Sequence, residues 1–384
     1  MELILKQYDI PLLRFSATND SSTPEIEVHW INEDQRHLLP LDMELSPEGI
    51  SRWMRRRTIP RNRAYVNRLL AKCGLNANRP MGILALCKGL SVDDSYWVVE
   101  EGFEGTFEKY NLFENRFSEV LALIAFTGYG SSNRSSLASS PEFTTNGMLP
   151  KCWRRISGKV TLYKGGTDGS YNTGAEPYCE YYAAQVAAAM GIDAIPYGLS
   201  QWKGRLCSTC ELFTDIDHAY MPIGNLVQRG GFDAVAAYYE NLGEPFQKAF
   251  RDMLVFDAVI CNTDRHYGNF GFMIDNKTNT IAAPAPLFDH GNSLFNQAGP
   301  EDYESPEAFQ QYIDTLVPCV YDGFFATAKR FMTDENREQL RKLLGFRFKR
   351  HVRYNLPSKR LKLMEEQVRK RAMRLLENKE YAQD

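Results

Sequence analysis

The sequence has 384 residues and a mass of 43.9 kDa, which is too long for one compact core and predicts two or three domains. Its composition, 43% hydrophobic, 12% aromatic and 24% charged, excludes a wholly disordered or fibrous protein. The 45 basic and 48 acidic residues give a formal charge of -3, which excludes binding to polyanions through bulk charge alone.

The sequence has no apolar run near the roughly 18 to 20 residues that a membrane span needs. Its first residues lack the basic segment and long apolar stretch of a secretory signal. The eight cysteines are scattered through the chain, which fits reduced thiols better than a disulfide framework. We therefore expect a cytoplasmic protein that does not contact membranes.

Residues 1–100 form the first predicted region, an α/β segment of unclear role. It has strand-like runs at 2–5, 25–30 and 96–99, a helix from about Ser46 that Pro60 interrupts, and a second helix at 63–73. Six arginines lie within twelve residues beside Trp53. These arginines are Arg52, Arg55, Arg56, Arg57, Arg61 and Arg63. The pattern is compatible with contact to nucleic acid or an acidic peptide, but a solvated helix face with ion pairs is the simpler interpretation.

Residues 101–220 form the second predicted region. A loop with six serines between residues 131 and 140 precedes the strand-like segment KVTLYKGG, whose alternation places Val160, Leu162 and Lys164 on one face. An alanine-rich helix, CEYYAAQVAAAMG, follows, with Glu180 expected at its start. Further along, Cys207 and Cys210 have C-x-x-C spacing, but no second ligand pair completes a metal site.

Residues 221–384 form the third predicted region, which is mainly helical. The runs FGFMID and TIAAPAPLFD bracket the turn signal NKTN and predict a hairpin, with Asp289 at the end of its second strand. From residue 341 onward the chain has 14 basic and five acidic residues with apolar residues interspersed, which predicts a basic helix packed on this lobe.

The strongest chemical signal is the segment NTDRHYGN at 262–269, followed twenty residues after Asn269 by Asp289 in DHG. Asp264 and Asn269 have the spacing of the catalytic aspartate and metal-binding asparagine in the protein-kinase catalytic loop. Asp289, two residues before a glycine, corresponds to the metal-binding aspartate of D-F-G. Because a hairpin returns the chain on itself, the sequence predicts that these side chains converge on one metal ion beside bound nucleotide.

The segments NTDRHYGNF and LFDHGNS resemble the HipA-like family of bacterial serine/threonine kinases, whose catalytic loop reads approximately N-x-D-x-H-x-x-N. The triplet DRH is also similar to the catalytic loop of phosphoinositide kinases. The resemblance covers about residues 135–330. It implies an α+β fold of the bilobal kinase-like kind that uses ATP and Mg2+. Residues 101–220 would form the small, β-containing nucleotide-binding lobe, and residues 221–384 would form the mainly helical catalytic lobe.

Carried over residue by residue, the resemblance makes Asp264 the candidate general base, with Asn269 and Asp289 as candidate magnesium ligands. His266 is a further candidate in the catalytic set, although it and Arg265 are expected mainly to fix the loop by hydrogen bonds. The apolar run before the loop contains one carboxylate, Asp257. That carboxylate either orients the loop or lies on a polar helix face.

The resemblance also places a lysine on a strand to meet the nucleotide phosphates and an acid on the next helix to hold it. Lys164 and Glu180 fit these positions. The simpler interpretation is an ordinary strand-end lysine and a first-turn acid that the helix dipole favours.

The stretch Ser139 to Lys151 resembles the phosphate-covering loop of HipA-like kinases. Its candidate nucleotide-binding residues, through backbone amides, are Thr144, Thr145, Asn146 and Gly147. The loop has no Walker sequence. Since some family members are phosphorylated on a serine here, Ser139 and Ser140 are candidate autophosphorylation sites, although an ordinary surface loop is equally compatible.

Three functions fit these observations. The first is a HipA-like kinase that phosphorylates a serine or threonine of a protein, with an antitoxin-like protein as a possible partner and nucleic acid contacted only indirectly. The second is a lipid or small-molecule kinase, and the third is a non-catalytic nucleotide- or partner-binding component of a toxin-antitoxin pair.

Overall fold

The computed structural model describes residues 1–18, 24–130, 140–169 and 173–377. Contacts between residues divide the chain into two compact units, each built from several segments. The first unit comprises Met1–Lys164, Glu211–Met221 and Met273–Ala282, and the second comprises Gly165–Cys210, Pro222–Phe272 and Ala283–Asp384. The functional division into three consecutive regions stays a prediction.

The chain combines helices with antiparallel strand pairs, as the α+β prediction requires. The strands are β1 Glu2–Gln7, β2 Ile10–Ala17, β3 Ile26–Ile31, β4 Tyr96–Glu100, β5 Lys151–Ile156, β6 Lys159–Gly165, β7 Gly198–Trp202, β8 Arg205–Glu211, β9 His218–Pro222, β10 Gly271–Asp275 and β11 Thr280–Pro284. The helices are α1 Pro47–Arg56, α2 Val66–Lys72, α3 Pro80–Cys87, α4 Phe107–Tyr110, α5 Glu119–Thr127, α6 Glu176–Met190, α7 Ile223–Leu226, α8 Gly231–Leu242, α9 Phe246–Ile260, α10 Pro306–Asp314, α11 Phe324–Phe331, α12 Asp334–Arg341 and α13 Ser358–Leu376.

The first unit begins with an antiparallel sheet in the order β3-β2-β1-β4. Alternate residues of β1, namely Leu3, Leu5 and Gln7, are buried, as the two-residue period of a strand with one covered face requires. Helix α1 begins at a Ser46 cap whose side chain accepts a hydrogen bond from the amide of Gly49, and it packs Trp53 into the same core. The predicted strands and helix of this region are confirmed within a few residues.

The rest of the first unit contains the antiparallel hairpin β5–β6, in which Lys151 lies opposite Lys164. Helix α5 packs against β5. The loop before β5 is tied down by a fully buried ion pair, with Nη2 of Arg63 2.6 Å from Oε2 of Glu142. Burial raises the pKa of the Glu142 carboxyl despite the neighbouring Arg63.

The arginine cluster is engaged largely in ion pairs. Besides Arg63, Arg57 binds both carboxylate oxygens of Asp94 at 2.7 and 2.8 Å, and Arg56 lies 2.8 Å from the carboxylate of Asp42. The ion-pair interpretation is therefore confirmed for these three arginines, although Arg57 and Arg63 are buried rather than solvated.

The second unit is mainly helical, with α9 in contact with α6, α8, α11 and α13. The predicted basic helix of the carboxy-terminal segment is α13, which buries Leu361, Met364, Val368 and Leu375. Among the described residues no helix is long and apolar enough to cross a membrane. Cys207, which is buried, and Cys210 both lie on β8.

Two local expectations are wrong. Glu180 does not open the alanine-rich helix, because α6 already begins at Glu176, with Pro177 in its first turn, where a proline is tolerated. Asp289 does not end the second hairpin strand, because β11 stops at Pro284 and Asp289 lies five residues further on. The hairpin itself is confirmed, since β10 and β11 flank the NKTN turn.

Candidate active site

The candidate catalytic loop, residues 262–269, begins where α9 ends at Cys261, which adopts a left-handed conformation with φ of 54°. Asn262 is fully buried and fixes the turn in both directions. Its side-chain nitrogen donates to Oδ1 of Asp257 at 3.1 Å, and its side-chain oxygen accepts a hydrogen bond from the amide of Asp264 at 3.1 Å. The loop is therefore attached to the last turn of α9 by side-chain hydrogen bonds.

A buried ion pair lies beneath the loop. Arg265 binds Asp257 through two hydrogen bonds, from Nε to Oδ2 at 2.9 Å and from Nη2 to Oδ1 at 3.0 Å, and both side chains are essentially inaccessible. Burial alone would lower the pKa of Arg265, but the Asp257 carboxylate raises it more, so the net shift is upward. Asp257 thus orients the catalytic loop, and the polar-face interpretation is wrong.

Arg265 also joins the catalytic loop to the segment that carries Asp289. Its Nη1 donates to the carbonyl of Asn269 at 3.0 Å and to the carbonyl of Phe288 at 2.6 Å. Its Nη2 lies 3.1 Å from Nδ1 of His290. Because a guanidinium only donates, Nδ1 must be the acceptor, so the neutral ring of His290 carries its proton on Nε2. One buried side chain therefore brings the two motif segments together.

Asp264 is half-buried between these segments. Its Oδ2 accepts a hydrogen bond from Nδ2 of Asn292 at 2.8 Å. Its main-chain carbonyl accepts one from Nδ2 of Asn269 at 3.3 Å, and the amide of Thr263 donates to the carbonyl of Asn292 at 3.0 Å. The side-chain amide of Asn292 therefore holds the Asp264 carboxylate, and the main-chain carbonyl of Asp264 orients the side chain of Asn269.

The segment around Asp289 is held by buried groups of the same unit. Oε2 of Glu180, which is fully buried, accepts a hydrogen bond from the amide of His290 at 2.8 Å. The amide of Asp289 donates to the hydroxyl of Tyr197 at 3.1 Å, and Asp289 adopts a left-handed backbone with φ of 56°. Burial, with added repulsion from Glu180 and Asp289, raises the pKa of Tyr197 well above its ordinary value, so the hydroxyl stays protonated.

His266 is exposed, and its Nδ1 accepts a hydrogen bond from the amide of Gly268 at 3.0 Å. The ring therefore closes the turn of the loop, as expected for a supporting residue. A side chain with a Cβ at position 268 would approach this ring to 2.9 Å, so the glycine leaves the space that the ring occupies.

The donor set fits a magnesium ion bound with nucleotide phosphates. Among the described residues, no group of three or more His, Cys, Asp or Glu side chains could hold a metal without other ligands. Mg2+ at phosphoryl-transfer sites typically takes one or two protein oxygens and completes its shell with water and phosphate. Since Nδ2 of Asn269 donates to the Asp264 carbonyl, its Oδ1 is the atom that would face a cation, and the Asp289 carboxylate would supply the second protein oxygen.

Of the other predicted nucleotide-binding residues, Lys164 and residues 144–147 lie in the first unit and Glu180 lies in the second. Lys164 is buried, and its pairing with Glu180 stays a prediction because the two belong to different units. The hydroxyl of Thr144 donates to the carbonyl of Leu90 at 2.9 Å, and Thr145 donates to the carbonyl of Pro141 at 2.7 Å.

The loop at 144–147 contacts a lysine that the sequence did not single out. Nζ of Lys151 donates to the carbonyl of Asn146 at 2.9 Å, and a Cβ at Gly147 would lie 2.2 Å from that nitrogen. Ser140 is buried, and its hydroxyl oxygen accepts from the amide of Glu142 at 3.4 Å. Ser139 lies outside the described residues.

Sequence reasoning missed several residues of the site. Asn292 directly follows DHG, so its proximity to the motif was visible, but its contact with Asp264 depends on the hairpin. Tyr197 and Arg63 reach the site segments through contacts distant in sequence, and no local pattern marks them. Lys151 binds a carbonyl only five residues before it, at the end of the stretch that resembles the phosphate-covering loop.

The chain is similar to a bacterial serine/threonine-protein kinase and to a protein of a toxin-antitoxin system. It is 27% identical over 143 residues to the serine/threonine-protein kinase CtkA of Helicobacter pylori, a match that covers 34% of this chain and 43% of that protein's length. The crystal structure of the H. pylori proinflammatory kinase CtkA aligns with a TM-score of 0.50 and 16% identity over 60% of this chain and 90% of that one. No protein-family model matches the sequence.

HipA of Shewanella oneidensis MR-1, solved in a complex with HipB and its operator DNA, aligns with a TM-score of 0.51 and 13% identity. The alignment covers 97% of each chain, so it extends beyond the region in which the sequence resemblance was noticed. The kinase-like α+β fold and the resemblance to HipA-like kinases are confirmed.

Proposed function

We propose that this chain is a HipA-like kinase that transfers the γ-phosphoryl group of ATP to a serine or threonine hydroxyl of a protein. The observation that carries the proposal is the buried Arg265, which joins the catalytic loop to the segment of Asp289 through the carbonyls of Asn269 and Phe288. A kinase needs these segments side by side, because both contribute to the binding of the nucleotide phosphates.

In this reaction Asp264 orients the acceptor hydroxyl and receives its proton. One carboxylate oxygen is already held by Asn292, and the other is the atom that accepts from the substrate. The acceptor oxygen forms a bond to the γ-phosphorus as the bond from that phosphorus to the bridging oxygen breaks. ADP is the leaving group, and the proton of the acceptor passes to Asp264.

Asn269 and Asp289 would hold magnesium, which when bound offsets the negative charge of the phosphates. Glu180 and Tyr197 fix the backbone on either side of this position, since they bind the amides of His290 and Asp289. In the proposal Lys164 meets the nucleotide phosphates and the loop at 144–147 covers them.

The proposal includes phosphorylation of the chain on its own serine-rich loop, with Ser139 and Ser140 as the candidate acceptors. Ser140 is buried, and its hydroxyl oxygen accepts a hydrogen bond from the amide of Glu142. The side chain of Glu142 is in turn held by Arg63. Modification of Ser140 therefore requires residues 140–147 to leave their position, and mass spectrometry after incubation with Mg-ATP tests it.

The proposal also includes a protein partner of the antitoxin kind, because the HipA structure that aligns over 97% of the chain was solved with HipB and operator DNA. Nucleic acid would be contacted through such a partner. Co-purification of this chain with an adjacently encoded DNA-binding protein would support this part of the proposal.

The test of the proposed function compares two matched substitutions of an aspartate by asparagine. Asp264→Asn removes the proton acceptor, whereas Asp233→Asn changes an exposed aspartate of the same unit. With labelled ATP and a mixture of protein substrates, we expect Asp264→Asn to lose activity by a factor of about 100 or more and Asp233→Asn to keep it. Equal activity of folded Asp264→Asn and wild type would refute the assignment.

A second candidate function is phosphorylation of a lipid or small molecule, which the D-R-H-x-x-N pattern favours. The same assay separates the two, because a lipid kinase labels extracted lipids or metabolites and leaves proteins unlabelled.

A further inference from the structure

The hairpin β10–β11 connects the two motif segments along the chain. It begins two residues after Asn269 and ends five residues before Asp289. Its tip, the turn 276–279, belongs to the first compact unit, whereas the catalytic loop and Asp289 belong to the second. The covalent chain therefore links a turn held in one unit to both candidate magnesium ligands in the other.

The first and last residues of the turn, Asn276 and Asn279, are buried against residues of the first unit, whereas Lys277 and Thr278 are exposed. The side chain of Asn279 donates from Nδ2 to the carbonyl of His37 at 2.8 Å and to the carbonyl of Leu39 at 2.7 Å. Its Oδ1 lies 3.2 Å from the hydroxyl of Tyr96, which is also 2.8 Å from the carbonyl of Leu38. Asn279 and Tyr96 are both less than a tenth exposed.

A second set of contacts holds the other side of the turn. Nε2 of Gln7 donates to the carbonyl of Asn276 at 2.6 Å, and both residues are buried. The amide of Asn276 donates to the carbonyl of Asp217 at 2.8 Å, and its side chain donates to the carbonyl of Ile216 at 3.1 Å. The inward-facing amide of Gln7, an unusual residue for the buried face of β1, thus has a partner in the hairpin.

The hairpin is consequently fixed at two places. Arg265 joins the segments that flank the hairpin by binding the carbonyls of Asn269, before β10, and Phe288, after β11. Residues 1–100 bind the buried residues of its turn. An antiparallel hairpin resists shear and changes of register, so a displacement at the tip is transmitted along both strands to their ends.

We propose that Asn279 and Tyr96 are positioning residues of the candidate active site, acting through this hairpin, and that positioning is a function of residues 1–100. The proposal rests on the proposed function. It implies that a change at Asn279 or Tyr96 alters the catalytic loop through the two strands of the hairpin.

The test uses Asn279→Gly and a matched control. Asn279 has a positive φ of 53°, so glycine keeps the backbone conformation and deletes only the side chain and its hydrogen bonds. Thr278→Gly introduces the same backbone freedom at an exposed position of the same turn. Tyr96→Phe is a milder second variant that removes the hydroxyl and keeps the ring in the core.

Hydrogen exchange without nucleotide gives the first readout. The amides of Asn269 and His290 are protected by hydrogen bonds to His266 and Glu180, and we expect them to exchange about tenfold faster in Asn279→Gly than in Thr278→Gly. We expect Tyr96→Phe to give a smaller change of the same sign. The amides of α13 should exchange at the wild-type rate in every variant.

Kinetics give the second readout. We expect Asn279→Gly to lower kcat about tenfold or more while the KM for ATP stays within about twofold of the control, because the lost hydrogen bonds join Asn279 to His37, Leu39 and Tyr96 and not to groups proposed to bind ATP. Equal exchange at Asn269 and His290 in the two glycine variants would overturn the positioning role. Faster exchange in Asn279→Gly with no phosphate transfer by wild type would overturn the proposed function alone.

Discussion

Replacement of Arg265 by methionine should unfold the second unit more easily and abolish phosphate transfer. The arginine makes five polar contacts of 2.6 to 3.1 Å and is essentially inaccessible to solvent. Removing one partner of a buried ion pair costs about 3–5 kcal/mol, because the other charge is left buried without compensation. Folded domains are stable by about 5–15 kcal/mol, so the variant should still fold at low temperature.

The double variant Arg265→Met with Asp257→Asn separates stability from positioning. It removes both charges, so we expect it to be more stable than the sum of the single changes predicts by about 2 kcal/mol or more. We expect activity to stay lost, because methionine cannot bridge the carbonyls of Asn269 and Phe288. Recovery of activity in the double variant would contradict the bridging role of Arg265.

Urea unfolding and transfer of labelled phosphate measure the two quantities on the same preparations. Arg330→Met is the matched control, because Arg330 is an exposed arginine of the same unit. A loss below about 1 kcal/mol in Arg265→Met would refute the reasoning, because an exposed or unpaired arginine would behave in that way.

Three further predictions follow from other parts of the molecule. Burial and Asp94 raise the pKa of Asp93 to about 6, so the contribution of the protonated side chain to stability is present below about pH 4 and is lost as the pH rises through 6. We therefore expect Asp93→Asn to raise the free energy of unfolding by about 1–3 kcal/mol at pH 8 but not at pH 4. An equal effect at both pH values would contradict this reasoning. Burial and the Asp264 carboxylate raise the pKa of the Cys319 thiol to about 11. We expect Asp264→Asn to speed the alkylation of Cys319 at pH 8 a few-fold, as measured by peptide mass spectrometry. An unchanged rate would show that the two groups do not interact. Gly147 has a φ of +91°, so we expect Gly147→Ala to strain the loop and displace Lys151. Calorimetry should then show that an ATP analogue binds about tenfold more weakly. Unchanged affinity would exclude this loop from the nucleotide site.

The sequence predicted the catalytic loop and the hairpin because both are written in local patterns. The spacing of Asp264 and Asn269 is contained in eight residues, and the NKTN turn lies between two apolar runs. Asp257 was recognised as an unusual carboxylate in an apolar run, but its partner Arg265 could not be chosen over solvent, because the handedness of the turn at Cys261 decides which way the loop folds back.

The roles of residues 1–100 could not be predicted, because their contacts to the site segments span long stretches of chain. Arg63 looked like one member of a basic cluster, although it is buried against Glu142 in a loop about 80 residues away. Gln7 looked like an ordinary strand residue, although its amide binds the carbonyl of Asn276. Neither pattern carries a local signal, and only the packing of β1 and the hairpin turn reveals the partner.

Binding of Mn2+ in the presence of a non-hydrolysable ATP analogue, followed by electron paramagnetic resonance, tests the central claim most directly. We expect wild type and Asp233→Asn to bind the ion with the analogue, and we expect Asp289→Asn and Asn269→Ala each to weaken that binding about tenfold or more. Tight binding of the ion in folded samples of both site variants would show that these two side chains do not share a metal, and the account would be wrong.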